Sequence, residues 1–173
     1  MNRASAAVTR WHVPQLGGAG ARTALHLVNT STHAATVTLR AYGAGGTAAA
    51  TNVQVKLAVG QQYSKAISEI FGIDPNTTGS LQVDSDTGGV FGDVLALDSG
   101  FAQSFEISLP LTSQTVSSLV LPLVTSKTTA YVFNPNATKA ASVTVTPYAD
   151  DGSADTGSRV TVPALGLGLL LFT

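Results

Sequence analysis

Thr36-Val37-Thr38-Leu39-Arg40-Ala41 places Val37, Leu39 and Ala41 on one face of an extended chain and Thr36, Thr38 and Arg40 on the other. Side chains of a β-strand alternate with a period of two, so this stretch reads as a strand with one face buried and one in water. Working outward, the same alternation returns in Val53-Gln54-Val55-Lys56-Leu57, Leu81-Gln82-Val83-Asp84, Ser142-Val143-Thr144-Val145-Thr146 and Val160-Thr161-Val162. Turn formers separate these runs: Gly17-Gly18, Gly43-Ala44-Gly45-Gly46, Asp74-Pro75-Asn76, Asp86-Thr87-Gly88-Gly89 and Asp150-Asp151-Gly152-Ser153. Many short, half-buried strands at such spacing predict an all-β protein of antiparallel sheets, a sandwich or a barrel. One segment departs from the pattern. Ser64–Phe71 puts Ala66, Ile67, Ile70 and Phe71 on one helical face, with Gly72 as a stop, and reads as a short crossover helix of about two turns.

The chain also repeats itself. Thr23-Ala24-Leu25-His26-Leu27-Val28-Asn29-Thr30 aligns with Thr128-Thr129-Ala130-Tyr131-Val132-Phe133-Asn134-Pro135, with Asn29 and Asn134 lying 105 residues apart. Ala35–Leu39 aligns with Ala141–Val145, Tyr42 with Tyr148, Gly45-Gly46-Thr47 with Asp151-Gly152-Ser153, and Val55–Leu57 with Val160–Val162. Upstream, Val13-Pro14 corresponds to Leu121-Pro122. Strand, Asn-capped turn, strand, Gly turn and strand therefore occur twice. The expected organisation is a first module over residues 1–99 and a second, incomplete one over 100–173. The second copy lacks counterparts of the short helix, of Gly79–Asp86 and of Val90–Leu97. Phe101–Leu109 alternates and is one candidate to fill that gap. An edge left open would be an aggregation hazard or a docking site.

These residues resemble a repeat common in large bacterial secreted and surface proteins. The resemblance is carried by Val13-Pro14, Gly17-Gly18, Thr23–Asn29, Ala35–Leu39, the short helix, Gly79–Asp86 and the closing Phe105–Leu111 with its Leu-Pro-Leu. It implies tandem immunoglobulin-like antiparallel β-sandwiches without a catalytic centre, and it transfers no functional residue, because the matching positions are strand and turn positions. Its functional implication is an extracellular or cell-surface structural or adhesive protein, self-associating or binding another surface protein.

Composition narrows the alternatives. The 173 residues carry 9 Lys+Arg against 10 Asp+Glu, a net charge of −1, which predicts no nucleic-acid partner because such binders display a basic stripe. There is no cysteine, so disulfides, thiolate zinc sites and cysteine nucleophiles are excluded together. No secretory signal is visible behind Met1–Ala7. Leu165–Phe172 is too short for a membrane span and reads as a buried strand, so no transmembrane segment is expected.

Chemistry-bearing residues are sparse, and no catalytic, cofactor or metal site is predicted. His12, His26 and His33 have no zinc spacing and read as surface residues, His26 pointing away from Leu25 and Leu27. The only glutamates, Glu69 and Glu106, sit on different elements, which disfavours a paired-carboxylate hydrolase. Asp150, Asp151, Ser153 and Asp155 around Gly152, like Asp74, Asp84 and Asp86, offer oxygen ligands of the kind calcium takes, but Asx-Gly turns need the same residues for backbone reasons. Gly17–Gly20 precedes a strand rather than a helix, so it is not a phosphate loop. Asn29-Thr30-Ser31, Asn76-Thr77-Thr78 and Asn136-Ala137-Thr138 match the N-glycosylation pattern. Trp11, Tyr42, Tyr131 and Tyr148 are thin material for the alternative function, a polysaccharide-binding or spacer module, and the shared place of Tyr42 and Tyr148 suggests packing. The sharper expectation is strand addition at an open edge, with Ala4–Arg10 as a candidate donor strand.

Overall fold

A computed structural model describes residues 9–17, 21–98, 106–121, 129–149 and 151–171. The protein is all-β with antiparallel sheets, as the alternation predicts. Eight strands build the first copy: β1 (Arg10–Val13), β2 (Ala21–Asn29), β3 (Ala35–Gly43), β4 (Val53–Leu57), β5 (Gln62–Ala66), β6 (Gly79–Ser85), β7 (Val90–Asp98) and β8 (Glu106–Pro110). They form two four-stranded sheets, ordered β1-β6-β3-β4 and β5-β2-β7-β8. One buried cluster joins the sheets, with Trp11, Val13, Val37, Leu39, Leu81 and Val83 from one side and Leu25, Leu27, Val90 and Val94 from the other. The alternation predicted for Thr36–Ala41 is seen directly, since Val37, Leu39 and Ala41 are buried and the residues between them are not.

The crossover helix, α1 (Ile67–Phe71), is shorter than its periodicity suggests. Ser64, Lys65 and Ala66 pair instead with His26, Leu25 and Ala24 of β2. A ladder against an existing strand outcompetes a short helix, whose first turn is costly to nucleate. Helix α1 still carries the chain from one sheet to the other, buries Ile67, and ends at Gly72 in the left-handed conformation.

The second copy contributes β9 (Thr129–Phe133), β10 (Ala141–Val145), β11 (Ser158–Val162) and β12 (Leu167–Leu171). These repeat β2, β3, β4 and β5 in order and in register. Phe133 faces Leu167 as Val28 faces Gln62, and Ala141 faces Val162 as Ala35 faces Leu57. Strand β8 pairs with β7 of the first copy, from Asp93↔Pro110 to Leu97↔Glu106, so residues 106–109 do not fill the gap in the second copy, and 101–105 lie outside the described residues.

The same buried asparagine organises both copies. The Asn29 amide donates to the carbonyls of His33 at 2.8 Å, Leu57 at 3.1 Å and Ala58 at 3.2 Å. Asn134 donates to Lys139 at 2.8 Å, Val162 at 3.2 Å and Pro163 at 3.0 Å. In each copy this ties the end of a strand of one sheet to the strand end and turn of the opposite sheet. The turns that follow match too, with Gln61 N–H donating to Ala58 and Gly166 N–H to Pro163, both at 3.0 Å. Their third residues differ. Gly60 has φ of 73°, whereas Leu165 holds φ of 54° with a side chain that disfavours it.

Two outcomes are expected in urea unfolding of the whole chain. Asn29→Ala should destabilise the first copy by about 2–4 kcal/mol, because buried carbonyls lose their donor, and Asn29→Asp should cost more by setting a carboxylate against them. Nothing lies within 4 Å of a Cβ built at Gly60, so Gly60→Ala should cost only the backbone term, about 1 kcal/mol.

Candidate docking site on the second copy

The residues with chemical potential are dispersed. Among the described residues no three His, Asp or Glu side chains gather to hold a metal ion. His33 is exposed. His26 points outward as expected, and its Nδ1 lies 3.0 Å from Asp93 Oδ1, while Ser108 Oγ donates to Asp93 Oδ2 at 2.5 Å. The carboxylate sits between imidazole and hydroxyl, whereas an activated serine needs the base beside it, so the trio ties β2, β7 and β8 together. Glu69 is exposed on α1, and the side chain of Glu106 lies outside the described residues. Asp151 Oδ1 accepts from Ser153 N–H at 2.8 Å and Oγ at 2.6 Å, which is the Asx-turn reading of that loop; Asp150 lies outside the described residues. Ala4–Val8 of the candidate donor strand lie outside the described residues too, and Arg10 is already paired with Asp84 in β1.

Three sequence expectations change. His12 is half-buried rather than solvated, packed 5.0 Å from the Phe133 ring of the other copy. Burial, and then the Arg10 charge, push its imidazole below the usual 6.5, against a smaller opposing effect of Asp84. Trp11 lies in the core and offers no platform for a sugar ring. Tyr148 keeps the backbone place of Tyr42, each bridging to the residue six positions on, yet is exposed, so the two tyrosines do not share a packing role. Asn29, the first residue of one glycosylation pattern, has its amide committed to the three carbonyls described above.

The outer face of the first sheet carries a charged cluster. Asp84 accepts from Arg10 Nε at 2.5 Å, from Gln82 at 2.7 Å and from Arg40. Burial alone would raise its carboxyl, but the hydrogen bonds of Arg10 and Gln82 with the charges of Arg10 and Arg40 together hold it below the usual range. The cluster pins the register of β1, β6 and β3, and the depression beside it is open and shallow.

The distinctive surface is on the second copy. In the first copy β2 and β3 are inner strands, with β5 and β7 flanking β2 and β4 and β6 flanking β3. Their counterparts β9 and β10 are each paired on one side only among the described residues, with β12 and β11. The apolar faces show the same deficit. Leu25, Leu27, Ala35, Val37 and Leu39 are buried, whereas their counterparts Ala130, Val132, Ala141, Val143 and Val145 are only partly so. Residues 118–121, Ser-Leu-Val-Leu, correspond in the sequence repeat to β1 of the first copy. They form no strand, and Leu119, Val120 and Leu121 are 73%, 82% and 43% exposed.

Strand alternation fixes which amides face the free edge. Asn134 N–H donates to Gly166, so the adjacent Phe133 and then Tyr131 turn their N–H and C=O groups away from β12. By the register of β3, where Thr36 O accepts from Asp86 N–H, Ser142 and Thr144 do the same on β10. On the far edge of β12, Leu167 N–H donates to Ala44 of the first copy at 2.9 Å. Leu165–Phe172 is thus a strand as expected over 167–171, though Leu169 is exposed and 172 lies outside the described residues. No helix is long and apolar enough to cross a membrane among the described residues.

Comparison with known proteins speaks to family and fold. No curated protein matches the chain. The crystal structure of Thermotoga maritima 1070 is similar over 64% of this chain and 97% of its own, with a TM-score of 0.53 at 14% identity, a likeness of fold alone. Residues 4–165 match a family described as of unknown function, DUF5719. That match takes in the two-sheet first copy and the asparagine clamps of both copies, and the chain belongs to the DUF5719 family.

Proposed function

We propose that this chain is a non-enzymatic structural or adhesive protein of the cell surface or extracellular space, built of immunoglobulin-like modules, that works by strand addition along β9 and β10 of its second copy. The observation that carries this reading is the one-sided pairing of β9 and β10 among the described residues, whose counterparts in the first copy are inner strands. Main-chain groups on a free edge give affinity to an incoming strand, and pockets for alternate side chains give selectivity. The half-covered residues Ala130, Val132, Ala141, Val143 and Val145 supply the apolar contribution. Each apolar side chain newly removed from water there adds on the order of 1–2 kcal/mol.

In the first copy the corresponding slot is filled by β6 and β7, one strand in each sheet, joined by the turn at Asp86–Gly89. A fluorescently labelled peptide of residues 79–98 is therefore the natural probe. Titrated against the dilute full chain, it should bind saturably with a roughly micromolar Kd and protect the Tyr131 and Phe133 amides from hydrogen exchange. Absence of both binding and protection at about 100 µM peptide would remove the basis for this function.

A further inference from the structure

We infer that His12 is an acid-sensitive latch between the two copies, and that its protonation releases the second copy from the first without unfolding the first. The latch lies at the joint and does not rest on strand addition. The joint is thin. Among the described residues no strand of one copy pairs with a strand of the other, and every ion pair lies within the first copy. Contacts across it include Leu167 N–H donating to Ala44 O at 2.9 Å and the close approach of Gly46 to Ala164. The side-chain contact is the His12 ring against the Phe133 ring, centroids 5.0 Å apart and planes tilted by 36°.

The backbone of His12 is fixed. It is laddered to Gln82 of β6 on one side, and on the other its N–H donates to Thr112 O at 2.8 Å. Trp11 and Val13 belong to the core, so alternation turns His12 to the outer face, where Phe133 meets it. Its Nδ1 is buried without a hydrogen-bond partner. A neutral imidazole with its proton on Nε2 presents only a lone pair there, whereas the imidazolium presents a second N–H and a charge that need an acceptor and water. The surroundings supply little of either. Arg10, on the same face of β1, repels the charge. Asp84 on β6 attracts it, but that carboxylate already accepts from Arg10, Arg40 and Gln82. Arg40 stands opposite Gln82 on β3, Thr112 is neutral, β9 has Tyr131 as its one titratable group, and β12 has none. The face of Phe133 attracts a cation weakly. Burial and Arg10 outweigh Asp84, so the docked joint prefers the neutral ring. Separation returns the ring to water and lifts that penalty. His12 is thus held below the usual 6.5 when docked and released toward it when parted. The joint is intact above that value and weakens as the pH falls below it, by at most about tenfold per pH unit for one proton. The other two histidines lie elsewhere: His26 is on the second sheet beside Asp93, and His33 is in the turn before β3, at the far end of that strand from Ala44.

The chain has no cysteine, so Glu69→Cys on α1 and Thr144→Cys on β10, both exposed positions, put one spin label on each copy. Distances between the labels are measured by double electron–electron resonance at about pH 7.5 and about pH 5. The expected result is one narrow distance at the higher pH and a second, broad population at the lower. Its midpoint should coincide with that of the His12 ring shift followed by NMR, while the Val37 and Leu39 amides stay protected from exchange. His12→Phe keeps a ring against Phe133 and offers no site for the proton, so it should hold the narrow distance at both pH values. If the larger ring does not fit, His12→Gln should do so. A wild-type distance that stays narrow in acid, or is broad throughout, would overturn the latch. So would acid separation that survives in the variants, a His12 midpoint that differs from that of separation, or loss of protection at Leu39. A joint broken in both variants at both pH values would overturn it too, because packing and not protonation would then decide the docking.

Discussion

Each copy depends on one buried primary amide. Sheets packed face to face are held mainly by apolar contact, which is non-directional and leaves them free to slide. Asn29 and Asn134 supply what burial cannot, a fixed point. Each sits at the end of its own strand and donates across the layers to the end of the other sheet's edge strand and to the turn beyond it. Its oxygen is used as well: Asn29 Oδ1 accepts from Ser31 N–H and Oγ, and Asn134 Oδ1 from Asn136 N–H. An amide that donates and accepts at once suits such a place, where a carboxylate or an aliphatic side chain would leave groups unpaired. That the clamp persists in the second copy, where β9 and β10 are each paired on one side only among the described residues, shows that it acts locally.

The two copies therefore form a natural comparison. They share strand pairing, turn geometry and the asparagine clamp, but among the described residues the first has β2 and β3 flanked on both sides and the second has β9 and β10 flanked on one. The same side-chain positions are closed to water in one and half-open in the other. Local sequence sets the hairpin-like pairs, and the degree of burial is decided by what fills the middle of each sheet.

How much was legible in the sequence follows from the range of the interactions involved. Strands such as Thr36–Ala41 and Ser142–Val145 were readable because the pattern that makes them is local and of period two. The repeat was readable because both copies keep their turn residues. The extent of α1 was not, since Ser64–Ala66 answer to β2, some forty residues upstream. Nor was the place of β8, because alternation in Ile107–Leu109 says that a strand exists and not which sheet receives it. The burial of His12 depends on Phe133 of the other copy, a contact with no signature in either segment. The exposure of Leu119–Leu121 was hidden, because a strand-like stretch without a partner reads the same as one with a partner.

The meeting of the two copies joins unlike parts of the repeat. The turn holding Ala44 and Gly46 in the first copy touches Ala164–Leu167 of the second, and a Cβ built at Gly46 would fall 1.9 Å from the Ala164 oxygen. Gly152, its counterpart, shares the positive φ, 83° against 84°, but has no atom within 4 Å of such a Cβ. Two glycines with one ancestry in the repeat thus live under different rules. Asparagine, which tolerates the left-handed region, is admissible at 152 and barred at 46. The joint thus makes equivalent turns of the repeat unequal, one fixed by its neighbour and one free to vary.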